Sequence, residues 1–453
     1  MADNPEGLEN ARRGRLQRTM AADANLRLLM SDLGRASAFS RVIHLAAQRA
    51  VHEAFQWMHL QEPRIMDWQA ELVAIAAPPF HEEQRAAWLA DRFRELGLDQ
   101  VEIDSTGNVL GSCPPSVAPE AGWILLSAHI DTIFPPGLPI RPKREGSRLQ
   151  APGACDNGAG LAGLLAIAAA LKAIAESAIV LPLQRGILFA GNVGEEGDGD
   201  LRGMRHLYLQ PPWRGRIAAN LVLDGAGHEI VVSQALGSRR FMVTITAPGG
   251  HSWTDAGTPN PIVLLSTVIS RLSELKLGES PRTTMNVGTI EGGTSVNAIP
   301  ESASARFDFR STDAEQLIRL EVELHRAVED VVLAANRQVL RGNGPGGAKG
   351  SAKVVGFAIR KIGDRPAAAL PEDAKILEAL RAVDRHLGIR TELRTASTDA
   401  NIPLSLGIEA VSIGAGGDGG GVHTYAEWYD SRDRETGLRR ILLLLLALAG
   451  SAD

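Results

Sequence analysis

Three short apolar runs in this sequence end in histidine or acidic residues. The runs are "WILLSAHI", "RGILFAGNV" and "ANLVL", and the residues that close or follow them are His129, Asp131, Glu195, Glu196 and Asp224. Apolar runs of this length predict buried strands. Histidine and carboxylate groups are costly to bury without partners. Because strand side chains repeat every two residues, His129 and Asp131 share one direction. We therefore expect a buried sheet with polar groups gathered at one edge.

Helical patterns alternate with these strands. The helix "NGAGLAGLLAIAAALKAIA" follows the first run, and further strands follow it. This alternation is typical of an α/β fold, with a mostly parallel sheet and helices on its faces. Ligands of open α/β sheets collect at the carboxyl ends of the strands. The sequence therefore predicts a ligand site where the three runs end.

The pattern changes near residue 236. The next elements follow the order β-α-β-β-α-β, which is that of a ferredoxin-like sandwich, and the α/β pattern resumes near 365 with "PEDAKILEALRAVDRHLG". We therefore predict a domain inserted into the first. The expected limits are a helical extension (1–62), the first part of the catalytic domain (63–235), the inserted domain (236–364) and the second catalytic part (365–453).

The amino-terminal extension has helical periodicity. One apolar stripe is formed by Leu45, Ala46, Ala50, Val51 and Phe55. His44, His52 and His59 lie in the same stretch, and their spacing would allow metal ligation. Surface or packing roles are the favoured interpretation for these three histidines.

Composition excludes several classes of partner. The net charge is -6 and the pI about 6.0, so there is no electrostatic case for nucleic acid or an anionic membrane. Two cysteines, Cys113 and Cys155, form no disulfide framework and fit a reducing compartment. The polar start lacks a secretory h-region, and "ILLLLLALA" (441–449) is too short to span a membrane. We expect a cytoplasmic protein.

Two more polar residues lie in loops that suit the same site. Asp156, in "GACDNGAGLAG", stands where a loop enters a helix and can cap it. His423 lies in the glycine-rich "GGGVHTYAEWYD". Imidazole and carboxylate groups suit Zn²⁺, Mn²⁺ or Co²⁺. The set fits two metals with a bridging carboxylate, which can share a water and lower its pKa. One member of the Glu195-Glu196 pair could then be a ligand and the other the base.

These motifs occur together and in order, and they resemble one enzyme family. The sequence resembles the dinuclear zinc metallohydrolases typified by acetylornithine deacetylase, tripeptide aminopeptidase and glutamate carboxypeptidase. The resemblance covers about residue 66 to the end. Its motifs are "SAHIDTIFP", "GACDNGAG", "GNVGEEGDGDLRGMRHL", "VLDG", "GGHSW", "EGGTSVNAIP", "FDFRS", "STDANIP" and "VHTYAEWYD".

The resemblance implies a set of metal ligands. His129 and Asp224 would bind one ion, Glu196 and His423 the other, and Asp156 would bridge them. The expected cofactors are two divalent ions, with Zn²⁺ first and Mn²⁺ or Co²⁺ as alternatives.

The resemblance also implies the remaining roles. Asp131 would hydrogen-bond His129 and fix its tautomer, and Glu195 would be the general base. The inserted domain would be a lid and dimerisation domain, so a homodimer is expected. Its His251 would reach across the dimer to stabilise the oxyanion, and Asn297 and Arg310 would contact substrate. Arg310 could hold a carboxylate, although an ordinary ion pair on a strand face is nearly as good an interpretation.

Three residues near the motifs bear on specificity. Trp253 follows His251 where many relatives carry small residues, so its ring could narrow the pocket or line an aromatic subsite. Asp418 could favour a cationic substrate amine, or could be a solvated loop acid. Cys155 is interpreted as a small packing residue rather than a reactive thiol.

The leading hypothesis is a two-metal hydrolase of amide C–N bonds that acts on small peptides or N-acyl amino acids. An alternative keeps the site and changes the bond, to an aryl amine or a carbamate; Trp253 and the amino-terminal extension motivate it. A non-catalytic binding protein on the same fold is less favoured, because no expected ligand or base is missing.

Overall fold

The computed structural model describes residues 37–115, 122–137, 139–176, 183–342 and 354–450. Residues 1–36 of the predicted helical extension (1–62) lie outside the described residues. The helices are α1 (Ala38–Ala46), α2 (Arg49–Leu60), α3 (Glu62–Val73), α4 (Glu83–Glu95), α5 (Gly158–Glu176), α6 (Arg202–Leu209), α7 (Pro261–Ser273), α8 (Ala314–Gly342), α9 (Lys375–Leu387), α10 (Asn401–Ser405) and α11 (Arg434–Gly450). The strands are β1 (Asp99–Ile103), β2 (Val109–Cys113), β3 (Trp123–His129), β4 (Lys143–Glu145), β5 (Arg148–Gln150), β6 (Gly186–Asn192), β7 (Ile217–Leu223), β8 (Ile230–Ala235), β9 (Gly237–Thr246), β10 (Gly250–His251), β11 (Thr283–Gly292), β12 (Ala298–Ile299), β13 (Ser302–Ser311), β14 (Gly356–Arg365), β15 (Ala368–Ala369), β16 (Glu392–Ala396), β17 (Glu409–Ile413), β18 (Asp418–Gly420) and β19 (Trp428–Asp430).

The largest sheet has the order β1-β2-β6-β3-β7-β17-β8-β15, with β16 beside β8. Its centre is parallel, since β3 runs parallel to both β6 and β7, and β17 runs parallel to β7. Every residue of β3 and of β6 is buried, as their apolar sequences predict. The carboxyl ends of four neighbouring strands therefore lie at one edge of the sheet.

Helix α5 forms the centre of the core. It is long and apolar enough to cross a membrane, but 83% of that apolar window is buried inside the protein. The apolar carboxyl-terminal run lies in α11, whose residues from Ile441 to Leu446 are at most 1% exposed. Both stretches are therefore core helices of the catalytic domain.

The amino-terminal helices pack onto this core. The predicted apolar stripe is divided between α1 and α2, and Ala50, Val51 and Phe55 are buried. His44, His52 and His59 are all exposed. His59 lies 2.9 Å from a carboxylate oxygen of Glu435. The three histidines belong to neither cluster of metal-ligating side chains found among the described residues.

The inserted domain has the predicted β-α-β-β-α-β order. Its sheet, β11-β13-β9-β14, is antiparallel throughout, and the short pair β10-β12 lies beside it. Helices α7 and α8 cover one face, where Phe241, Val243, Phe307 and Phe309 are buried. The predicted α/β fold with an inserted ferredoxin-like domain is confirmed.

The glycine-rich segment around His423 differs from the predicted loop. Two short strands, β18 and β19, flank His423 and join β5 and β4 in a small antiparallel sheet. Sequence patterns miss these strands because each has only three residues, too few to show a period.

Candidate metal centre

His129 stands at the end of β3 against two carboxylates. Its Nε2 lies 3.0 Å from Oδ1 of Asp156 and 3.9 Å from Oδ1 of Asp224, the residue that follows β7. One donor atom from each of the three residues lies within 4.8 Å of the others. Parallel pairing of β3 and β7 places the ends of these strands side by side. His129, Asp156 and Asp224 therefore form one candidate metal-binding triad.

A second triad uses the other oxygen of the same aspartate. Nε2 of His423 lies 3.0 Å from Oδ2 of Asp156 and 2.8 Å from Oε1 of Glu196. These three residues also offer donor atoms within 4.8 Å of one another. The two triads share Asp156, with one carboxylate oxygen facing each histidine. All five ligands implied by the resemblance are thus brought together.

Asp131 is placed differently from the expected pairing with His129. Nδ1 of His129 lies 3.1 Å from the main-chain carbonyl oxygen of Asp131, a hydrogen bond, and 3.6 Å from its carboxylate. The carboxylate accepts the backbone N–H groups of Glu195 at 3.0 Å and Glu196 at 2.8 Å. Asp131 therefore orients His129 through its main chain and orders the Glu195-Glu196 turn through its side chain.

The loop that carries Asp156 is anchored by the side chains of two residues, Glu427 and Gln69. Oε1 of Glu427 accepts the N–H groups of Cys155 and Asp156 at 2.8 and 2.7 Å, and Oε2 accepts that of Gly153 at 2.8 Å. The side chain of Gln69, in α3, donates to the carbonyl of Ala154 at 2.6 Å. The Asp156 carboxylate is therefore held by its backbone and remains available to a ligand.

Asn157 ties this loop to the end of β7. Its amide group donates to the carbonyl of Leu223 at 2.8 Å and its oxygen accepts the N–H of Gly225 at 3.1 Å. The same oxygen accepts the N–H of Gly160, in the first turn of α5, at 3.0 Å. The side chain that caps α5 is therefore that of Asn157. The sequence had suggested Asp156 for this role, but the Asp156 carboxylate faces the two histidines instead.

The acids of the two triads repel one another. Burial, followed by the negative charge of Asp156, raises the pKa of Asp224 to about 7. Burial, followed by the negative charges of Asp156 and Glu195, also raises the pKa of Glu196 to about 7. Hydrogen bonding to Asp156 raises the pKa of His423 to about 9. Burial opposes ionisation of Asp156, but its hydrogen bonds to His129 and His423 hold its pKa below the usual range. Crowded, buried carboxylates of this kind are stabilised by a cation.

The donor set fits divalent metal ions. Two imidazoles and three carboxylates are the ligand types that Zn²⁺, Mn²⁺ and Co²⁺ accept. Oδ1 of Asp156 is buried, and apart from its 3.0 Å contact with Nε2 of His129 it has no polar partner within the described part of the chain, so it keeps unused lone-pair capacity. An acceptor oxygen left in this state, between histidine and acidic side chains, is suited to a cation.

Glu195 belongs to neither triad and pairs with an arginine. Oε1 of Glu195 accepts a hydrogen bond from Nη1 of Arg365 at 2.9 Å, and the second Arg365 nitrogen donates to the carbonyl of Glu195. Burial raises the pKa of the Glu195 carboxyl, and Arg365 partly offsets this effect. Adjacent glutamates thus face different partners, as a ligand and a separate base would require.

The predicted lid residues lie apart from the metal ligands. Nδ1 of His251 accepts the N–H of Trp253 at 3.2 Å, and Asn297 is near by, since its carbonyl accepts the N–H of Ser252 at 3.0 Å. Arg310 forms an ion pair with Asp308 at 2.8 Å, as in the alternative interpretation of an ordinary ion pair on a strand face. Among the described residues, no hydrogen bond or ion pair links His251, Asn297 or Arg310 to the two triads.

The structure also shows the surroundings of Trp253, Asp418 and Cys155, the three residues near the motifs. Trp253 is 86% exposed, so its ring is not packed against other described residues of the same protomer. Asp418 is exposed and accepts only its neighbour's N–H, that of Gly419. Cys155 is buried and free, and burial raises the pKa of its thiol to about 12, in line with a packing role.

Sequence reasoning missed two residues that contact the site. Glu427 lies in the quoted motif "VHTYAEWYD", and an acid within a buried strand pattern could have indicated it. Arg365 gives no such signal, because it contacts Glu195 only through the folding of the inserted domain onto the catalytic domain.

Two family models match the sequence. "Peptidase dimerisation domain" matches residues 235–335, and "Peptidase family M28" matches residues 108–241. The first covers most of the inserted domain, and the second covers the region with β3, β6, β7 and four of the five triad residues.

Similarity to other proteins and solved structures covers most of the chain. The uncharacterised protein YqjE of Bacillus subtilis is 25% identical over 372 residues, which are 79% of this chain and 91% of that protein. The structure of aminopeptidase PepT from Bacillus cereus has a TM-score of 0.66 at 20% identity, covering 85% of this chain and 98% of that one. YxeP of Bacillus subtilis, described as a dinuclear metal binding peptidase from the M20 family, has a TM-score of 0.60 at 16% identity, covering 86% and 99%.

These matches confirm the predicted resemblance and the predicted enzyme class.

Proposed function

We propose that this chain, a metal-dependent hydrolase of the peptidase type, uses two divalent ions to cleave the amide C–N bond of small peptides or N-acyl amino acids. His129 and Asp224 would hold one ion, Glu196 and His423 the other, and Asp156 would bridge them. The observation that carries the proposal is the pair of triads that share one carboxylate. The ions would supply Lewis-acid polarisation of the scissile carbonyl and a more acidic water.

Glu195 is the proposed general base. It takes a proton from the attacking water as the oxygen of that water bonds to the carbonyl carbon. It then delivers the proton to the leaving nitrogen as the C–N bond breaks, so the carboxylate is regenerated. Its carboxylate is buried and is not a member of either triad, so it is free to carry the proton.

Asp131 maintains this arrangement. One carboxylate holds the backbone of the base and of the neighbouring ligand Glu196, while the main chain of the same residue orients His129. Such supporting contacts determine metal affinity and activity nearly as much as the ligands do.

The proposed functional unit is a homodimer formed through the inserted domain. Supporting it, the dimerisation-domain match covers this region, and the domain exposes large apolar side chains, among them Trp253 at 86% and Ile290 at 53%. His251 would stabilise the oxyanion of the partner's active site, and Asn297 and Arg310 would contact its substrate. Nε2 of His251 is free for this task, because Nδ1 accepts the backbone N–H groups.

The test combines metal analysis with a substrate panel. Protein loaded with Zn²⁺, Mn²⁺ or Co²⁺ should bind about two ions per chain and cleave di- or tripeptides or N-acyl amino acids. The expected native ion is Zn²⁺, and a cytoplasmic location stays a prediction. Cleavage of aryl-amine or carbamate substrates alone would favour the alternative bond. A loaded protein that binds two ions and hydrolyses no member of the panel would contradict the proposal.

A further inference from the structure

Arg365 lies at the junction between the two domains. It is the last residue of β14, and it pairs in register with Ser238 at the start of β9. These two strands carry the chain into and out of the inserted domain. The next residue is also fixed, because the side chain of Asn401 donates to the carbonyl of Pro366 at 2.9 Å. The main chain at Arg365 therefore belongs to both domains.

The side chain of Arg365 makes two hydrogen bonds to Glu195. Nη1 donates to Oε1 of Glu195 at 2.9 Å, and Nη2 donates to the main-chain carbonyl of the same residue. Nη1 also lies 3.2 Å from Oγ of Ser397. The two side chains are only 7% and 9% exposed, so this ion pair is shielded from water. A planar guanidinium can make both contacts at once, whereas the single nitrogen of lysine cannot do so with the same geometry.

These contacts leave Glu195 one oxygen for chemistry. Asp131 holds its N–H, Arg365 holds its carbonyl and Arg365 also holds Oε1. Oε2 makes no hydrogen bond within the described part of the chain. A base with a fixed backbone and one fixed carboxylate oxygen has lost most of its rotational freedom before the substrate arrives, which favours a productive geometry.

We propose that Arg365 is a positioning residue for the general base, and that it makes the placement of Glu195 depend on the junction of the two domains. The inference rests on the proposed role of Glu195. Arg365 acts through Glu195 and does not hold the substrate.

The experiment uses the full-length, metal-loaded protein with a peptide that the wild type cleaves. Arg365→Ala, Arg365→Lys, Glu195→Gln and the control Arg239→Ala are compared for kcat, KM, metal content and thermal stability. Arg239 is matched because it lies on β9 near the same junction and pairs with another acid, Glu321. Guanidinium chloride is added at low concentration to supply the missing group.

Arg365→Ala should lower kcat on the order of 100-fold with KM nearly unchanged, because ordering of the base is lost. Guanidinium should restore part of kcat in Arg365→Ala only, and Arg365→Lys should be intermediate. Crystal structures should show the Glu195 carboxylate turned from its wild-type position. Arg239→Ala should resemble the wild type.

Three outcomes would overturn the inference. A rise in KM with kcat unchanged would make Arg365 a substrate-binding residue. A wild-type kcat in Arg365→Ala, or a loss of kcat in that folded variant that guanidinium does not relieve, would remove the positioning role; if Arg365→Ala does not fold, a wild-type kcat in Arg365→Lys would do the same. A fully active Glu195→Gln would instead refute the proposed role of Glu195 as the base.

Discussion

Oε1 of Glu427 accepts the backbone N–H of Asp156 at 2.7 Å, so the aspartate proposed to bridge the ions is held in place by a residue four positions after the proposed ligand His423. The same carboxylate binds the N–H groups of Cys155 and Gly153. The loops that carry two of the proposed ligands are thereby fixed to each other.

Glu427→Gln should weaken metal binding about 10- to 100-fold, because the glutamine amide would present N–H groups to backbone N–H donors. It should also lower the unfolding free energy by about 1–3 kcal/mol. Metal titration and urea unfolding test both effects. Asp418→Asn, an exposed acid on nearby β18, is the control. Equal metal affinities of the two variants would contradict the anchoring role.

Glu195→Gln should keep both metal ions and lower kcat by about 10²- to 10⁴-fold, because glutamine cannot carry the proton. Its oxygen can still accept the Arg365 hydrogen bond, so folding should be unaffected. Steady-state kinetics and metal analysis provide the measurement, with the exposed Glu378→Gln on α9 as control. Near-normal turnover in Glu195→Gln would exclude it as the base.

The stability of the metal-free protein should fall as pH rises. The pKa values of Asp224 and Glu196 are raised to about 7, from 3.8 and 4.5 respectively, mainly by burial. The folded state therefore favours their protonated forms. Their contribution to the unfolding free energy is present at low pH and is lost as the pH rises from the ordinary pKa of each group to about 7. The pKa of His423 is raised to about 9 from 6.5 by Asp156, so its contribution is also lost with rising pH.

A bound cation pairs with the ionised acids, so the gain in Tm on adding metal should be larger at about pH 8 than at about pH 5. Differential scanning calorimetry with and without chelator tests this. In Asp224→Asn the pH dependence of the metal-free protein should be weaker. A metal-induced gain that is the same at both pH values would refute the electrostatic account.

Gly419→Ala should destabilise the protein by about 1–3 kcal/mol through overpacking. A Cβ at Gly419 would lie 2.5 Å from Sγ of Cys155, beside the Asp156 loop. Gly288→Ala, where the nearest atom is 3.8 Å from the added carbon, is the matched control. Adding Cys155→Ala to the Gly419 variant should recover part of the loss, which urea unfolding can measure.

His251→Ala should lower kcat by about 10²- to 10³-fold, as expected for removal of an oxyanion donor, and leave metal content unchanged. If the histidine acts across the dimer, mixing equal amounts of His251→Ala and Glu195→Gln subunits should restore about one quarter of wild-type activity, because about half of the dimers are then mixed and one of the two sites in each mixed dimer is complete. No recovery after confirmed subunit exchange would place His251 in its own protomer's site.

Much of the scaffold can be predicted from the sequence, because a strand buried on both faces has to be apolar along its length. The runs that form β3, β6 and β7 show this directly, and the rule that parallel strands share an edge brings their terminal residues together. The gathering of His129, Asp224 and the Glu195-Glu196 pair at one edge follows from these two facts, whereas their individual roles as proposed ligands or base are what the resemblance implies.

Contacts between distant segments carry no such pattern. The resemblance implies that the Asp131 carboxylate hydrogen-bonds His129, yet this carboxylate accepts the backbone N–H groups of Glu195 and Glu196. Arg365 meets Glu195 only after the inserted domain has folded back. Such contacts can be identified only from the hydrogen-bond partners in the folded structure.

The two histidines of the site are separated in sequence by the entire inserted domain. During synthesis on the ribosome, the first half of the catalytic domain emerges with His129, Asp156, Glu196 and Asp224 but without His423. The emerging chain would therefore offer four of the five proposed ligands, and an early metal ion would meet an incomplete coordination sphere. If these residues bind the metal as proposed, full metal retention would be a late event, reached only after the two parts of the catalytic domain have assembled.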